Sequence, residues 1–555
     1  MVETKPRVRV PAGRALQAAI PGPRPTMRYL RDDKSGTLAL RRAVSRDARA
    51  DVWEAGDRAY ALAVDFMHNS GWIAGAADQI IVDTIGTELK LNARPDFTGL
   101  GYSDKERADW VQTVERAWKR WAWTPSECDL AGKATVAEMA DGVMRHYLAG
   151  GEGFGVLSYL DQRTRARYGV ETGTKVSLVA PHRLPRRTLL FEGLDQGILH
   201  DVNGRVIAYR FRRQSDGLDL DEDIAARDGQ GLQQVIHVMD RGDNPDSPRG
   251  ISPMAPILKV IAQSDQLADA TLATALLQTI FAATIQSPEP SVEAFQAIQT
   301  LATDNVEMPA TWVGTEDDWD SYVGSIAGDL IDVWGQRIGA LKEGGINLSD
   351  TARIGHMGPG EELKFHTAQT PGGNYLPFSQ NLQREMARRL GIMFESLSMD
   401  FSGASYSSVR MGVSTIWPIA VRRRERIAAP FCQGVYEAWL DEQIAMGRIP
   451  FKGGYRAFAA NRLKVTWAEW QGPAKPSADD YKSALAAKVR METGVSSLAD
   501  ECAEMGRDAD ELMITRSNEL KRLTELGLPS PFERMSGGGG PQGAAAEGNR
   551  EPAAS

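Results

Sequence analysis

Apolar positions recur at helical spacing along most of the chain, and one long stretch has the pattern of a set of strands. Residues 110–123, WVQTVERAWKRWAW, give the clearest helical pattern. Their apolar side chains fall on one side of the helix, which favours a stripe facing a core over a surface that stacks on nucleotide bases. The stripe consists of Trp110, Val114, Trp118 and Trp121. Residues 135–151 predict a second helix, which a pair of glycines ends.

The β-rich stretch covers residues 170–240. Three runs rich in β-branched residues predict strands there, and residues 154–160 predict a strand just before them. The runs are residues 175–181, 197–213 and 233–239. The dipeptide Asn203-Gly204 lies inside the middle run and predicts a hairpin with a two-residue turn. Together with the helices, these strands predict an α+β fold that is predominantly helical.

A long helix is predicted after the strands. Ser252 is its expected N-cap, Pro253 suits the first helical position, and the pattern continues to about Ile285. That length is roughly 30 residues, or on the order of 45 Å. The helix is rich in alanine and weakly charged, so we expect it to pack laterally against other helices, including copies of itself.

The C-terminal part of the chain predicts more helices. Residues 376–391 form one helix, which a glycine ends. Residues 411–447 form a longer helical region with kinks near Pro418 and Pro430. Residues 462–470, RLKVTWAEW, predict a short β passage before the last helices.

Composition is that of an ordinary globular protein, large enough for several domains. The 555 residues are 42% hydrophobic and 25% charged. No apolar run approaches the roughly 18 residues that span a bilayer, and the first residues lack the apolar core of a signal peptide. We therefore expect a soluble, cytosolic product. The three cysteines have neither metal-binding nor disulfide spacing and are expected to be buried. They are Cys128, Cys432 and Cys502.

Positive charge is concentrated at the N-terminus. Residues 1–50 carry twelve Lys or Arg and four Asp or Glu, although the net charge of the whole chain is −9. Prolines interrupt this basic arm, so we expect it to be extended. It either binds nucleic acid or an acidic protein surface, or is a solvated, flexible terminus. At the other end, the composition of residues 527–555 predicts a disordered tail.

The segment LSMDFSGASYSSVR, residues 397–410, brings five serines, one acid and one arginine together. It contains neither the GxSxG elbow nor the SxxK motif of serine catalysis. The chain has no Walker phosphate loop, and its seven histidines show no metal-binding spacing. The residue patterns thus predict no catalytic residue, no metal and no cofactor, and they argue against an enzyme.

Taken in order, several segments resemble the portal proteins of tailed bacteriophages, in particular the lambda-type portal family. They include NSGWIAGAADQIIVDTIGTELKL, CDLAGKATVAEM, GILHDVNGRVIAYRF, VIHVMDRGDNPDSPRGISPMAPIL and PFCQGVYEAWLDEQIAMG. The similarity extends over residues 45–525 and is most specific within residues 397–410. The signature residues there are Phe401, Tyr406, Ser407, Ser408 and Arg410. The chain departs from the family at Ser405, where asparagine is more usual.

The resemblance implies a portal fold of wing, stem, clip and crown that assembles into a ring of about twelve copies. Within the wing return, residues 367–375 would form a tunnel loop and residues 376–391 a tunnel helix. The implied division of the chain is a basic flexible arm (1–50), a wing (51–250), a stem helix (251–285), the clip with a second stem segment (286–345), a wing return (346–414), a crown-side helical region (415–526) and a disordered tail (527–555).

The resemblance also implies a function, that of a structural DNA channel at one vertex of a phage or prophage capsid. Such a ring docks the terminase large subunit for packaging, then the head–tail adaptor, and passes DNA on ejection. The other implied partners are further copies of the chain, the major capsid and scaffold proteins, and double-stranded DNA held non-specifically, with no membrane. The implied location is the capsid vertex of the virion, after assembly in the host cytoplasm.

Two sets of residues are candidates for contacts in the channel or between subunits. The tunnel loop would touch DNA with small, uncharged residues that read no bases, and the negative net charge suits a channel through which DNA slides. Its residues are Thr370, Pro371, Gly372, Gly373 and Asn374. Three arginines lie in the helix that follows, where they either contact phosphate or, as we favour, form ion pairs between subunits. They are Arg384, Arg388 and Arg389.

Two other classes of protein stay open: a non-viral structural protein that forms helical assemblies, and a cytosolic enzyme with a novel site. We interpret residues 397–410 as a structural joint between two helices. Serine and aspartate side chains would bond the backbone of the turn and of the helix start. Phe401 and Tyr406 would anchor the joint, and Arg410 would tie it to a neighbouring segment or subunit.

Overall fold

The computed structural model describes most of the chain between residues 48 and 530. The described ranges are 48–215, 218–241, 247–280, 283–286, 314–321, 325, 362–365, 373–477 and 479–530. Several predictions lie outside these residues. They are the basic arm up to residue 47, most of the clip, the tunnel loop up to Gly372, and the tail beyond residue 530.

The N-terminal half of the described chain begins with a helical layer. The predicted apolar stripe lies in α3 (Asp104–Ala122), where all four of its side chains are buried. A capping box between Ser103 and Glu106 starts α3, and left-handed Gly151 ends α5, as its glycine pair predicted. The elements are α1 (Ala48–Asn69), α2 (Gly71–Thr84), β1 (Lys90–Ala93), α3 (Asp104–Ala122), α4 (Pro125–Cys128) and α5 (Val136–Gly150).

Two antiparallel sheets follow. One has the strand order β3-β2-β8 and packs on the helices, and the other has the order β4-β5-β6-β7. All the predicted strand runs of this stretch are confirmed. The elements are β2 (Glu152–Tyr159), α6 (Gln162–Tyr168), β3 (Thr174–Val179), β4 (Leu194–Asp195), β5 (Ile198–His200), β6 (Val206–Ser215), β7 (Leu218–Ala225) and β8 (Val235–Met239).

The hairpin between β5 and β6 is confirmed, but its turn is longer than the predicted two residues. Residues 201–205 connect the strands, and Gly204 takes a left-handed conformation with φ 78°. The Asp201 carboxylate accepts hydrogen bonds from the backbone N–H groups of Asn203 and Arg205. This side chain organises a wider loop than Asn203-Gly204 alone would make.

Strand β7 lies at the edge of the four-stranded sheet and is rich in acids. Its exposed carboxylates pair with arginines, two of them on the adjacent strand β6 and one in the segment before β4. The ion pairs are Arg187–Asp221, Arg213–Glu222 and Arg210–Asp223.

The long helix is shorter than predicted at both ends. Ser252 accepts a hydrogen bond from Met254 N–H, but this caps a turn and a short 3-10 helix (Ala255–Ile257), after which α7 runs over Leu258–Ile280. The predicted end near Ile285 is wrong because residues 283–286 form strand β9 (Ala283–Gln286). That strand pairs with β10 (Glu362–Phe365), a partner distant in sequence.

The C-terminal elements follow the predicted order, with one correction. Pro418 lies inside α10, and a π-helical turn (Arg424–Ala428) precedes Pro430. Residues 462–465 of the predicted β passage are helical, and only its end is a strand, which pairs with β1. The elements are α8 (Tyr375–Leu390), α9 (Phe394–Ser398), α10 (Tyr406–Arg423), α11 (Ala429–Ala445), α12 (Gly454–Ala460), α13 (Arg462–Val465) and β11 (Ala468–Gln471).

Helix α11 lies at the centre of the main hydrophobic core. Its fully buried Phe431, Val435 and Tyr436 belong to the same cluster as the stripe of α3. The helix contacts α5, β2, β3, β8 and β11. Residues on both sides of residue 415, the predicted start of the crown-side region, therefore belong to one core, and no core boundary lies there.

The last three helices lie largely outside that core. None of the residues of α14 (Asp480–Glu492) or α16 (Ala509–Glu525) is buried, and α15 (Leu498–Glu504) buries Glu501 and Cys502. Cys502 and the other two cysteines are buried, as predicted. Within the described residues, no helix combines the length and apolar character needed to cross a membrane.

Candidate functional site

The segment between α9 and α10 is a tightly hydrogen-bonded turn. Met399 adopts a left-handed conformation (φ 52°), and the Ser398 hydroxyl accepts a hydrogen bond from Asp400 N–H. The Asp400 carboxylate in turn accepts one from Ser402 N–H at 3.0 Å, and this hydrogen bonding lowers the pKa of Asp400. The predicted use of serine and aspartate side chains to bond the turn backbone is confirmed.

Helix α10 begins with a capping box formed by two serines. The Ser405 hydroxyl accepts a hydrogen bond from Ser408 N–H at 3.2 Å, and Ser408 Oγ accepts one from Ser405 N–H at 2.9 Å. Serine thus caps this helix where the family more often has asparagine, because both residue types supply the required acceptor. Ser407 is exposed, and its side chain makes no hydrogen bond with the described residues.

The three larger signature side chains point outward in a single copy of the chain. Phe401 is 49% exposed and Tyr406 45% exposed, so neither is anchored in the core. The Tyr406 ring has one cationic neighbour, Lys482 Nζ, at 5.6 Å from its centroid. Arg410 is exposed and has no partner for its guanidinium group among the described residues. The predicted joint is therefore built by its small polar residues.

The arginines of α8 differ in their surroundings. Arg384 lies over the Phe394 ring at 4.6 Å, which attaches α8 to α9. Arg389 Nε donates a hydrogen bond to the Pro253 carbonyl at 2.7 Å, at the start of the long-helix segment. Arg388 is exposed and has no side-chain partner among the described residues. Of the tunnel-loop candidates, Gly373 and Asn374 are described, and they precede the first turn of α8.

The sequence patterns do not predict the buried ion network around Glu152. Glu152, in β2, has no exposed surface, and its carboxylate forms an ion pair with Arg249 at 2.7 Å. It also accepts hydrogen bonds from Gly250 N–H at 2.9 Å and contacts His237 Nε2 at 3.2 Å. Arg249 donates further to the carbonyls of Leu184, Gln196 and Pro181.

The network fixes the charge state of Glu152. Burial alone would raise the pKa of its carboxyl, but Arg249 and His237 hold the pKa well below its usual value. The same network holds residues 249–250, only eight residues before α7, against the sheet. The sequence signal for this network is Glu152 itself, the one acid in the glycine-rich run GGEGFG. A carboxylate is buried in a strand only with a partner, so an acid there indicates a cation elsewhere in the chain.

A cavity of about 570 Å³ lies between β1, α3 and the start of α16. Its floor includes Trp118, Cys432 and Trp470, and Glu115 lies in its wall. Burial raises the pKa of Glu115 to about 7. The lining contains no histidine, and within the described residues no group of three or more His, Cys, Asp or Glu could hold a metal ion.

Comparison with known proteins decides the family. A family model for the phage portal protein, lambda family, matches residues 34–424. The chain belongs to this family. Portal protein B of Escherichia phage lambda is 25% identical over 483 residues, which are 85% of each chain. The portal protein of Escherichia phage N15 is 25% identical over 493 residues, 85% of this chain and 86% of the relative. The lambda portal family is structural, so this member is a structural portal component of a phage or phage-like particle.

A solved structure is similar over most of the length. A chain from the neck of an empty gene transfer agent particle, computed with C6 symmetry, aligns with 84% of this chain and 94% of its own. Its sequence identity is 12% and the TM-score is 0.43.

Proposed function

We propose that the chain assembles into a ring of about twelve copies that forms the DNA channel at one capsid vertex. The family match over residues 34–424 carries this proposal. In this function the ring docks the terminase large subunit during packaging, then the head–tail adaptor, and passes DNA on ejection. Major capsid and scaffold proteins would surround it during assembly in the host cytoplasm.

The surface of α7 supports assembly with neighbouring copies. The first half of the helix packs on the core through Leu258, Val260 and Ile261. Beyond Leu267 most of the described side chains are exposed, including Leu272 at 60%. A helix that leaves its own core with apolar side chains uncovered needs other helices to pack against.

The portal regions are proposed on this structure with adjusted limits. Helix α7 would be the stem helix, and α8 the tunnel helix, preceded by the tunnel loop predicted at residues 367–375. The wing would combine the N-terminal helices and the two sheets with α11, which shares the core of those helices and of the three-stranded sheet, and with α10, which packs on α2. The crown side would consist of α14, α15 and α16, and the clip would lie within residues 286–345.

The three larger signature side chains and the arginines of α8 are proposed to act between subunits. Phe401, Tyr406 and Arg410 are exposed on one copy although they are the most specific part of the family resemblance. Contact with a neighbouring copy would cover the two rings and give the Arg410 guanidinium a partner. Small uncharged residues of the tunnel loop would touch the DNA backbone without reading bases.

The mass and shape of the purified protein test the proposal. A ring of twelve 60.6 kDa chains has a mass of about 727 kDa and shows a central hole in negative-stain images. We expect this species alone or after co-expression with the scaffold and capsid proteins of the same phage. A monomer under all these conditions would contradict the ring. Open helical assemblies without a hole would favour the non-viral structural alternative.

A further inference from the structure

Helix α7 carries an acidic pair for which the described part of the chain supplies no cation. Its only charged residues are Lys259, Asp265 and Asp269. The two aspartates are four residues apart, so they lie on one face of the helix, where like charges cost about 0.2–0.5 kcal/mol. Neither carboxylate has an ion-pair partner among the described residues. Burial and the nearby Asp269 raise the pKa of Asp265, as expected for an acid without a cation.

The same face of α7 is suited to a protein partner. Leu272 follows Asp269 by one helical turn and is 60% exposed. A phosphate backbone would be repelled by the two carboxylates, and it offers nothing apolar to cover the leucine. The face therefore fits a protein surface that combines cations with apolar side chains.

A cluster of arginines lies near the start of the α7 segment. Arg422 and Arg426 each form an ion pair with Asp240 at 2.9 Å, yet their side chains are 53% and 49% exposed. Arg423 Nη2 donates to the Leu390 carbonyl at 2.6 Å, at the end of α8. We call this set the base cluster, and its members are Arg388, Arg389, Arg422, Arg423 and Arg426.

The base cluster has more cations than anions. Arg389, Arg422, Arg423 and Asp240 all lie near Tyr147, which places the ends of α8 and α10 side by side. Besides Asp240, the carboxylate of Asp83 lies near Arg423. Four of these guanidinium groups thus lie near two described carboxylates, and Arg388 has no side-chain partner among the described residues. The exposed Arg388, Arg422 and Arg426 can accept more negative charge.

We propose that Asp265 and Asp269 of one copy face Arg388, Arg422 and Arg426 of the next copy, as one charged contact between neighbouring subunits. The inference rests on the ring assembly proposed above. A ring closes through head-to-tail contacts, in which one surface of each copy meets a different surface of the next copy, and an acidic pair that meets arginines of the next copy is a contact of this kind. Buried between copies, charge pairs of this kind contribute specificity and can be strongly coupled.

Charge reversal tests this contact. One variant carries Asp265→Arg and Asp269→Arg, and the other carries Arg388→Glu and Arg422→Glu. Each variant alone presents like charges at every contact, so we expect the fraction of protein in rings to fall about tenfold or more, which corresponds to about 1.4 kcal/mol for the assembly equilibrium as a whole. An equimolar mixture restores opposite charges in alternating order, and we expect rings to return. Mass photometry and negative-stain microscopy measure the ring fraction.

A matched control separates charge from position. Arg163→Glu with Arg167→Glu makes the same charge change on α6, where both arginines are exposed and have no ion-pair partner among the described residues. We expect wild-type rings from this control. Circular dichroism and the melting temperature establish that every variant is folded before its assembly is measured.

Each contrary outcome has a distinct meaning. If the wild-type chain never forms rings, even with scaffold and capsid proteins, the proposed function itself is wrong. If wild-type rings form and either variant assembles equally well, this contact is wrong while the ring stands. A mixture of folded variants that stays unassembled also overturns the pairing. Rings of the arginine variant that form normally but bind DNA with a weaker salt dependence would instead assign the cluster to phosphate.

Discussion

Glu152 has no exposed surface, and its negative charge is stabilised by Arg249, His237 and the Gly250 N–H group, with Arg186 at 4.0 Å. We expect Glu152→Gln to lower the free energy of unfolding by about 3–5 kcal/mol, because it leaves the buried Arg249 guanidinium without its counter-charge. Urea unfolding of the purified chain measures this. The control is Glu504→Gln at a side chain that is 74% exposed, where we expect less than about 1 kcal/mol. Equal effects of the two substitutions would contradict the structural role of Glu152.

Glu115 makes the stability of the chain depend on pH. Burial raises the pKa of its carboxyl from 4.5 to about 7, with Asp508 and Glu511 adding to the shift and the Ala93 N–H group opposing it. Between these values the folded chain holds a proton that the unfolded chain has released. The contribution of Glu115 to stability is therefore complete below about pH 4.5 and is lost as the pH rises to about 7.

The substitution Glu115→Gln removes this dependence while keeping an acceptor for Ala93 N–H. We expect the variant and the wild type to be equally stable near pH 4.5. Near pH 8 the variant is expected to be more stable by on the order of 2 kcal/mol. Urea unfolding at several pH values measures the difference, with Glu504→Gln as the control. A pH-independent difference would show that ionisation of Glu115 is not its cause.

At the scale of elements, the glycines that end α5 and α6 allow the cost of backbone strain to be distinguished from the cost of steric overlap when each is replaced by alanine. Gly151 ends α5 with φ 78°, and a Cβ there would come within 2.1 Å of the Ile251 carbonyl oxygen. Gly169 ends α6 with φ 67°, and a Cβ there would meet nothing within 4 Å. Both glycines adopt the left-handed conformation, which is unfavourable for alanine. Only Gly151 also lies against the backbone of Ile251, in the segment that leads to α7.

We expect Gly169→Ala to cost about 1–2 kcal/mol, the usual penalty of a left-handed alanine. Gly151→Ala is expected to cost at least about 2 kcal/mol more, because the backbone of residues 250–251 must move. Thermal unfolding measured side by side gives the difference. Similar melting temperatures for the two variants would mean that the backbone of residues 250–251 moves away from residue 151 at little cost.

Elements with strong local signals could be predicted from the sequence, and those that depend on distant partners could not. The stripe of α3, the glycine that ends α5 and the serine that caps α10 act within a few residues of themselves. The predicted end of α7 is wrong because residues 283–286 form β9, which pairs with β10, far along the chain. Glu152 was missed for the same reason, since Arg249 is 97 residues away. The outward position of Phe401 and Tyr406 depends on surroundings that no local pattern encodes.

At the scale of the whole molecule, the substitution Arg410→Ala tests whether the outward-facing signature residues contact a neighbouring subunit. Its guanidinium has no partner among the described residues of its own chain, so we expect Arg410→Ala to leave the melting temperature of the single subunit within about 1–2 °C of the wild type. Ring formation, measured by mass photometry, is expected to decrease. Ser407→Ala serves as the control in the same turn and should assemble normally. Fully assembled, equally stable Arg410→Ala rings would contradict a subunit contact.

The acidic edge of the four-stranded sheet has a consequence for the time before assembly. An uncovered strand offers free backbone donors and acceptors to any other strand, and a protein made in many copies would be prone to aggregate through it. Asp221, Glu222 and Asp223, with the arginines that pair with them, place charged side chains along that edge. Pairing with another strand would remove water from these charges, so we expect newly made subunits to stay in solution without stacking into cross-β aggregates.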